Sequence, residues 1–459
     1  MTDYRYQLTL HNDKLTQSSA QPRFFVRTYG CQMNSRDSEK IEGLLSQLGY
    51  KKTTSQDDAD IILFNTCCVR ESAEDRIFGN IGRLKALKAQ KPNLIIGILG
   101  CMTQQAEIAE KIRQKYKYVN MVFGTFNRHR LPEFIWKTIS TGKQIIDINE
   151  DTGLPEIEDI EVTHREYAHK AGVNIMYGCS NFCSYCIVPY VRGAEKSRKI
   201  TDILQEINAL AADGVKEIML LGQNVNSFVD EHGNLAFAKL LHLVNNIEGI
   251  ARIRFMTSHP KDLSEELIVA IATLPKICKF LHLPIQSGSS RILQDMNRKY
   301  TKEDYLTLIS RLKSKIPDIA ISTDIIVGYP GETEEDFLET LDIVQKVQFA
   351  NAFTFLYSKR SGTPAASRTD IVPAKIASER YDRLVAALTP IHLQLNEQKL
   401  GKIFDAIIEE KSPEPNGYKG RLDDHSLIHI SSKKALHPGN IVPVEITQAK
   451  TFYLNGTAV

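Results

Sequence analysis

In the N-terminal part of the chain, from Arg23 to about Glu150, short apolar runs alternate with stretches of helical periodicity. The apolar runs are Phe24–Val26, Ile61–Phe64 and Leu94–Leu99. The first helix is predicted from Ser35 to Leu48, with Gly49 as its stop, and two further helices begin at about Glu71 and Thr103. Short apolar strands that alternate with helices predict a parallel α/β sheet.

A segment of low periodicity, residues 149–169, reads as a linker, and the alternation of strands and helices then restarts. Strands are predicted at Val173–Tyr177, Glu217–Leu221, Arg252–Met256, Phe280–Pro284, Ile319–Val327 and Ala352–Leu356. Helices between them are predicted at Ser264–Ala272, Lys302–Lys313 and Glu334–Val347. Six such units predict a partial barrel rather than a closed eightfold barrel.

After about Gln398 the pattern changes to short strands separated by turns. The strands are predicted at Phe404–Glu409, Leu427–Ile430 and Ile441–Ile446, with Gly417, Gly420 and Gly439 in turns. This pattern predicts a small antiparallel barrel. The predicted fold class is therefore α/β, with an N-terminal parallel sheet domain (23–150), a linker (151–169), a central partial (β/α)6 barrel (170–393) and a C-terminal antiparallel β-barrel (394–459).

Composition is that of an ordinary globular protein, with 42% hydrophobic and 24% charged residues among 459. The formal net charge is +2, so a nucleic-acid partner would need a local basic patch. The segment from Met1 to Arg23 lacks an apolar signal region, and no run approaches the ~18 apolar residues of a membrane span. We therefore expect a cytoplasmic protein with no membrane partner. The chain has eight cysteines, and in a reducing compartment a group of cysteines more often binds metal or acts in catalysis than forms disulfides.

Three cysteines, Cys179, Cys183 and Cys186, lie in one loop directly after the first predicted strand of the barrel. Active sites sit at this end of barrel strands, and three thiolates can hold three irons of a cubane cluster, leaving the fourth iron open. Zinc is the alternative, because His169, His259 or His282 could supply a fourth ligand. The loop itself contains no histidine, and this favours the cluster.

Three more cysteines, Cys31, Cys67 and Cys101, each follow a predicted strand of the N-terminal sheet and precede a helix. The carboxyl ends of parallel strands lie along one edge, so these residues can converge there. Gly30 and Gly100 would let a bulky cluster approach the backbone. The alternative is three buried core cysteines. Cys68 could be the ligand instead of Cys67. Because neighbouring side chains at a strand end point in different directions, only one of the two is expected to serve. Cys278 is predicted to lie in the core.

The central loop resembles that of the radical S-adenosylmethionine (SAM) superfamily, and nearly the whole chain resembles the methylthiotransferases. Within that group it is most similar to the tRNA isopentenyladenosine methylthiotransferases, the MiaB family. The matching stretches are Thr28–Asn34, Asn65–Glu71, Gly100–Met102, Gly178–Arg198, Leu221–Asn226, Thr257–Pro260, His282–Gly288 and Asp324–Thr333. The run Tyr29–Asn34 separates this family from relatives that modify a ribosomal-protein aspartate or threonylcarbamoyladenosine in tRNA.

The resemblance implies two 4Fe–4S clusters and SAM as both radical source and methyl donor. Cys179, Cys183 and Cys186 would hold the SAM-cleaving cluster, with Tyr185 beside it. Cys31, Cys67 and Cys101 would hold the cluster that carries the sulfur to be inserted, and the match of Asn65–Cys67 to the family pattern favours Cys67 over Cys68. Four residues at barrel strand ends are candidate SAM contacts: Gln223, Ser258, Gln286 and Asp324.

The implied partners are tRNA carrying N6-isopentenyladenosine, an electron donor protein and a sulfur source. The C-terminal part resembles a TRAM domain, an RNA-binding β-barrel that would supply affinity rather than chemistry. It has eight basic and eight acidic residues, so only a local patch such as Lys419 with Arg421 could favour RNA. Two alternatives remain: methylthiolation of the substrates of the relatives named above, and a non-catalytic RNA-binding protein with structural metal sites.

Overall fold

The computed structural model describes residues 8–9, 12, 21–68, 71–148 and 165–459. The chain divides into two compact units. The first is Met1–Glu166 with Tyr177–Ser180 and Ile187–Lys196, and the second is Tyr167–Met176, Asn181–Cys186 and Ser197–Val459. The predicted linker falls mostly on residues 149–164, outside the described residues, and the predicted domain bounds stay predictions.

The first unit contains a six-stranded parallel sheet with the strand order β2-β1-β3-β4-β5-β6. Its strands are β1 (Arg23–Thr28), β2 (Lys51–Lys52), β3 (Ile61–Thr66), β4 (Ile95–Gly100), β5 (Met121–Phe123) and β6 (Ile145–Asp147). Its helices are α1 (Gln32–Gln47), α2 (Glu71–Gln90), α3 (Ala106–Lys115), α4 (Leu131–Thr141) and α5 (Val188–Arg192). The predicted parallel α/β sheet is confirmed.

Both faces of this sheet are covered, and the sequence of β3 shows why. Ile61 and Leu63 pack into the hydrophobic core on one face, while Ile62 and Phe64 pack into a second core on the other face. A strand buried on both faces reads as an unbroken apolar run, and this explains why the apolar runs located β3 and β4. Helix α1 begins at Gln32, three residues before the predicted start, so Cys31 is its N-cap residue.

The central part of the second unit contains two three-stranded parallel sheets, with the orders β11-β10-β7 and β12-β13-β14. These strands are β7 (Lys170–Asn174), β10 (Glu217–Leu221), β11 (Arg252–Phe255), β12 (Phe280–His282), β13 (Ala320–Val327) and β14 (Asn351–Leu356). Two short strands, β8 (Met176–Tyr177) and β9 (Lys196–Ser197), flank the cysteine loop. The six parallel strands confirm the predicted partial (β/α)6 barrel.

Helices follow these strands and bury one face of each. They are α6 (Ile200–Ala212), α7 (Phe237–Asn245), α8 (Glu265–Thr273), α9 (Ser290–Asp295), α10 (Lys302–Lys315), α11 (Glu334–Val347) and α12 (Ala374–Glu397). In β13, Ile321, Ile325 and Val327 enter the core beneath the helices. Because side chains alternate along a strand, Ser322 and Asp324 point to the opposite face, into the barrel. Short 3-10 helices lie at Arg128–Arg130, Val225–Ser227, Pro260–Asp262 and Pro364–Ser367.

The C-terminal strands form a closed five-stranded barrel in the order β15-β16-β17-β19-β18. Its strands are β15 (Ile403–Lys411), β16 (Gly417–Leu422), β17 (Leu427–Ser431), β18 (Ile441–Ala449) and β19 (Leu454–Ala458). The predicted antiparallel barrel is confirmed, with one parallel pair, β17 with β19.

Two glycines of this barrel correct the prediction. Gly417 and Gly420 lie in strand β16 rather than in turns. A Cβ at Gly420 would come within 2.6 Å of the carbonyl oxygen of Ile407 on β15, so the close strand crossing of a small barrel requires glycine there. Gly439 lies in a turn with φ +92°, as predicted.

Two buried arginines of β11 join the C-terminal barrel to the central barrel. Arg252 donates to the carbonyl oxygens of Arg421 (2.8 Å) and Asp405 (2.7 Å), and Arg254 donates to those of Leu422 and Asp423 (both 2.8 Å). Cys278 is buried nearby, as predicted, and burial raises the pKa of its thiol well above the usual range. None of the helices in the described ranges combines the length and apolar character that crossing a membrane requires.

Candidate functional site

The three N-terminal cysteines stand at the carboxyl ends of β1, β3 and β4. Cys67 and Cys101 are buried, and Cys31 is exposed. Gly30, with φ +117°, faces Cys67 so closely that a Cβ there would lie 2.8 Å from its sulfur. Asn34 joins two of the strand ends, because its Nδ2 donates to the carbonyl oxygens of Tyr29 (2.8 Å) and Thr66 (3.0 Å). The glycine thus makes room for a thiolate at the sheet edge.

Cys68 also lies at this edge, and its side chain contacts Cys101. A hydrogen bond from Cys68 does most to lower the pKa of the Cys101 thiol to about 6; burial opposes this, and the charge of Arg192 assists it. A thiol with so low a pKa is a thiolate at neutral pH, the form that binds iron. Both Cys67 and Cys68 therefore stand close to the other candidate ligands, and the choice of Cys67 stays a prediction.

Arg192 completes this group, and sequence reasoning did not single it out. Its Nε donates to the sulfur of Cys101 (3.2 Å), and its Nη2 donates to Asn34 Oδ1 (2.6 Å) and Asp37 Oδ2 (3.0 Å). Asp37 forms a second ion pair, with Arg128. All of these polar side chains are buried. The one available signal was that Arg192 lies within the stretch Gly178–Arg198 that carries the family resemblance.

The cysteine loop after β8 is divided between the two units. In the first unit, the backbone N–H of Cys179 donates to the carbonyl oxygen of Gly193 (3.0 Å). In the second unit, the N–H of Cys186 donates to the carbonyl oxygen of Cys183 (2.9 Å), and Ser184 Oγ donates to that of Asp295 (2.7 Å). These hydrogen bonds fix the backbone at each cysteine.

Cys183 is buried against a second arginine that sequence reasoning missed. Arg298 Nη1 donates to the sulfur of Cys183 at 3.3 Å. Tyr185 packs against a buried group that includes Met296 and Tyr329. Burial raises the pKa of the Tyr185 hydroxyl well above its usual range, and its predicted place beside the cluster stays a prediction.

The zinc alternative gains no support from the described residues, among which no three cysteine, histidine or acidic side chains are grouped to bind one metal ion. A cubane cluster places each thiolate on a different iron and needs a wider spacing. Two of the candidate histidines have other partners: His259 Nδ1 accepts from the N–H of Lys261 (3.3 Å), and His282 Nδ1 is hydrogen-bonded to Ser322 Oγ (2.8 Å). His169 packs against Gly439.

Three of the candidate SAM contacts follow barrel strands, and the fourth, Asp324, lies within β13. Gln223 follows β10 and Ser258 follows β11, while the N–H of Gln286 donates to the carbonyl oxygen of Asp324 (2.9 Å). The structure therefore pairs Gln286 with Asp324. Asp324 Oδ2 also lies 3.5 Å from Nε2 of His282.

Two buried polar side chains in this region fit a polar ligand. The hydroxyl of Ser258 and both amide atoms of Asn226 have no hydrogen-bond partner in the described part of the chain. Leaving such groups unpaired costs about 1–3 kcal/mol each, so they are expected to meet a ligand. Thr257 (φ +67°) and Gln286 (φ +72°) adopt the left-handed conformation that non-glycine residues rarely take, and such strain is concentrated at functional sites. Asn226 was part of a matching stretch but was not predicted as a contact.

Comparisons with known proteins agree with this architecture. Family models match three segments: "Uncharacterized protein family UPF0004" over residues 23–124, "Radical SAM superfamily" over 173–344 and "TRAM domain" over 397–459. Among solved structures, the radical SAM methyltransferase TsrM from Kitasatospora setae, with tryptophan and a SAM analogue bound, matches with a TM-score of 0.53 over 75% of each chain. At 14% identity this match shows a shared fold.

Curated relatives about half identical to this chain are named tRNA-2-methylthio-N6-dimethylallyladenosine synthase. The protein from Caldicellulosiruptor saccharolyticus is 52% identical over 438 residues, covering 95% of this chain and 92% of its own. The protein from Clostridium tetani is 49% identical over 453 residues, covering 98% of both chains. With this identity over nearly the whole length, the chain belongs to the tRNA-2-methylthio-N6-dimethylallyladenosine synthase family of radical SAM methylthiotransferases.

Proposed function

We propose that this chain inserts sulfur and a methyl group at C2 of N6-isopentenyladenosine beside the anticodon of tRNA, using two 4Fe–4S clusters held by two separate sets of three cysteines. The observation that carries the proposal is the placement of one set at the ends of the parallel strands β1, β3 and β4 and of the other set in the loop after β8, in a chain about half identical to the synthases. The domain bounds 23–150, 170–393 and 394–459 are part of the proposal.

C2 of adenine carries an unactivated hydrogen that polar acid–base chemistry does not readily replace. When bound, the clusters and SAM supply the electron, the organic radical, the sulfur and the methyl group. Cys179, Cys183 and Cys186 would hold the SAM-cleaving cluster, and Cys31, Cys67 and Cys101 the second cluster.

Polar residues of the barrel would bind and orient SAM. Ser258 and Asn226 offer buried polar groups at one side of the barrel mouth, while Gln286 and Asp324 stand together at the other strands. Tyr185 would keep water away from the cysteine loop. The electron donor protein and the sulfur source belong to the proposal as partners, and we propose a cytoplasmic location because the substrate is tRNA.

Iron content tests the two-cluster assignment. After anaerobic reconstitution the parent should hold about eight irons, and the triple variant C179A/C183A/C186A should hold about four and make no 5′-deoxyadenosine. The complementary triple variant C31A/C67A/C101A should also hold about four irons but should still cleave SAM. A triple variant that binds as much iron as the parent would refute the assignment. A parent without iron and labile sulfide would support the non-catalytic RNA-binding alternative.

A competition experiment tests the substrate. The intact enzyme is offered tRNA carrying isopentenyladenosine, tRNA carrying threonylcarbamoyladenosine, and the ribosomal protein, and the products are identified by mass spectrometry. We expect methylthiolation of the first. Preference for either of the others would overturn the substrate assignment and leave the reaction class standing.

A further inference from the structure

Each of the two cysteine sets has one buried arginine whose guanidinium donates to a cysteine sulfur. Arg192 Nε lies 3.2 Å from Cys101 Sγ, and Arg298 Nη1 lies 3.3 Å from Cys183 Sγ. Both distances suit an N–H···S hydrogen bond. The arrangement thus occurs once in each unit, on unrelated elements of the chain.

Among the described residues, the charges that face Arg192 do not balance. Asp37 is the carboxylate paired with Arg192, and Asp37 is also paired with Arg128. Two buried guanidinium groups and one buried carboxylate leave a net charge of one positive unit. Burying an uncompensated cation costs several kcal/mol, so an anionic neighbour is required at this place. Cys101 as a thiolate in a cluster supplies it.

The positive charge of Arg298 is compensated still less than that of Arg192. Its other donors reach neutral oxygens, the hydroxyl of Tyr300 (2.9 Å) and the carbonyl of Pro284 (3.1 Å). Within the described ranges no carboxylate forms an ion pair with it, although its side chain is buried. The sulfur of Cys183 is therefore the group that a positive charge here can stabilise.

We propose that Arg192 and Arg298 are positioning residues that raise the reduction potentials of the two clusters, each acting on its own cluster. This inference rests on the proposed cysteine ligands. Hydrogen bonds to the sulfurs and nearby positive charge stabilise the more negative, reduced state of an iron–sulfur cluster. Each arginine would make its cluster easier to reduce by one electron from the donor protein.

The test uses backgrounds that retain one cluster each. R192Q and R192K are made in C179A/C183A/C186A, and R298Q and R298K in C31A/C67A/C101A. Glutamine removes the charge, whereas lysine keeps it. Folding should survive R192Q because Asp37 keeps Arg128 as a partner, and R298Q because no carboxylate loses one. Iron content is measured first, and the midpoint potential then follows from a redox titration monitored by electron paramagnetic resonance.

In each glutamine variant we expect parent-like iron and a lower midpoint potential. At the midpoint potential of the parent, the ratio of oxidised to reduced cluster should rise about tenfold. For one electron this corresponds to a midpoint potential lowered by ~59 mV. The lysine variants should shift less. In the matched control, each arginine variant is made in the other background. R298Q in C179A/C183A/C186A should leave the midpoint potential of the N-terminal cluster unchanged, and R192Q in C31A/C67A/C101A should leave that of the SAM-cleaving cluster unchanged.

Unchanged potentials in both glutamine variants, with iron retained, would overturn the proposal. Equal loss of iron in the glutamine and lysine variants would also overturn it, because it would indicate a purely structural role. If either triple cysteine variant does not hold about four irons before any arginine is changed, the ligand assignment is refuted, and this proposal with it.

Discussion

The two adjacent cysteines after β3 differ in what their side chains touch. Cys67 lies against Gly30, whereas Cys68 is hydrogen-bonded to Cys101. A ligand at the outer edge of the sheet needs the space that glycine leaves, and Cys67 occupies that space. Cys68 lies in a buried group with Cys101, Ile187 and Val191. Both cysteines therefore contact a neighbouring strand end, and the choice of Cys67 as the ligand stays a prediction.

Single alanine variants separate the two residues. C68A should retain about eight irons, because the three proposed ligands remain. C67A should lose the N-terminal cluster and keep about four irons while still cleaving SAM. The measurement is iron and sulfide content with 5′-deoxyadenosine formation as the second readout. Loss of iron in C68A alone would reverse the assignment.

Gly30 gives a second prediction at the same scale. G30A would place a Cβ 2.8 Å from the sulfur of Cys67 and force alanine into φ +117°, which L-residues rarely adopt. We expect about half of the bound iron to be lost and SAM cleavage to remain. The matched control is G79A in helix α2, where a Cβ meets nothing within 4 Å. Iron retained in G30A would show that the cluster does not need this space.

The site could be predicted from sequence only where its signal was local. The cysteines and Gly30 follow apolar strands, and a parallel sheet brings such positions to one edge. Arg192 and Arg298 lie 91 and 115 residues from the cysteines that they contact. No spacing rule joins an arginine to a cysteine over such distances, so these contacts could be identified only from the structure.

At the scale of elements, strands were predicted well where burial alone determines the pattern. Glu217–Leu221 was predicted with its observed bounds, whereas β16 was missed because Gly417 and Gly420 read as turn residues. Glycine in a strand is required here by the neighbouring strand, a contact that the local sequence does not contain. Helix α12 was also missed; it contains Pro390, a residue that usually ends a helix.

Helix α11 begins with a capping box that is hydrogen-bonded to the segment after Gln286. Thr333 Oγ1 accepts from the N–H of Asp336 (3.3 Å), and Asp336 Oδ2 accepts from the N–H of Thr333 (2.8 Å). Asp336 Oδ1 also accepts from Ser289 Oγ (2.6 Å), three residues after Gln286. The cap therefore connects the start of α11 to the segment that carries a candidate SAM contact.

Removing this cap should destabilise the protein measurably. T333A should lower the free energy of unfolding by about 1 kcal/mol, because it leaves an N-terminal N–H of α11 without its acceptor. The measurement is chemical denaturation followed by circular dichroism. T333S, which keeps the hydroxyl, should stay within ~0.5 kcal/mol of the parent. Equal losses in both variants would point to the lost methyl group rather than the cap.

At the scale of the second unit, the C-terminal barrel is tied to the central barrel. Arg252 and Arg254 use carbonyl oxygens of the C-terminal barrel as acceptors, and the ring of His425 packs against Phe280. Deleting the C-terminal barrel would remove these acceptors and expose the side of the central barrel that it covers, including Phe280. A role in RNA binding is therefore tested better with surface variants than by truncation.

Phe452 is the most exposed large hydrophobic side chain of the C-terminal barrel, at 73% exposure. It lies between β18 and β19, beside the hydrogen bond from the N–H of Lys450 to the carbonyl oxygen of Tyr453 (2.9 Å). Aromatic side chains presented in this way stack on unpaired bases, worth about 1–3 kcal/mol per base. We expect F452A to weaken tRNA binding about 5- to 150-fold. V459A is the matched control, since Val459 is 68% exposed but cannot stack.

Salt dependence distinguishes stacking from charge in this variant. Affinity falls with salt in proportion to the phosphates that basic side chains neutralise, and F452A changes none of these contacts. Its log affinity should therefore drop by a constant amount at every salt concentration, whereas K450A should reduce the slope by about one. Iron content and 5′-deoxyadenosine formation should match the parent in all three variants, because the three side chains are exposed and none is a proposed cluster ligand. Parent-like tRNA affinity in F452A would exclude this aromatic ring as an RNA contact, and tRNA binding would then have to rest on charged contacts of the kind that K450A tests.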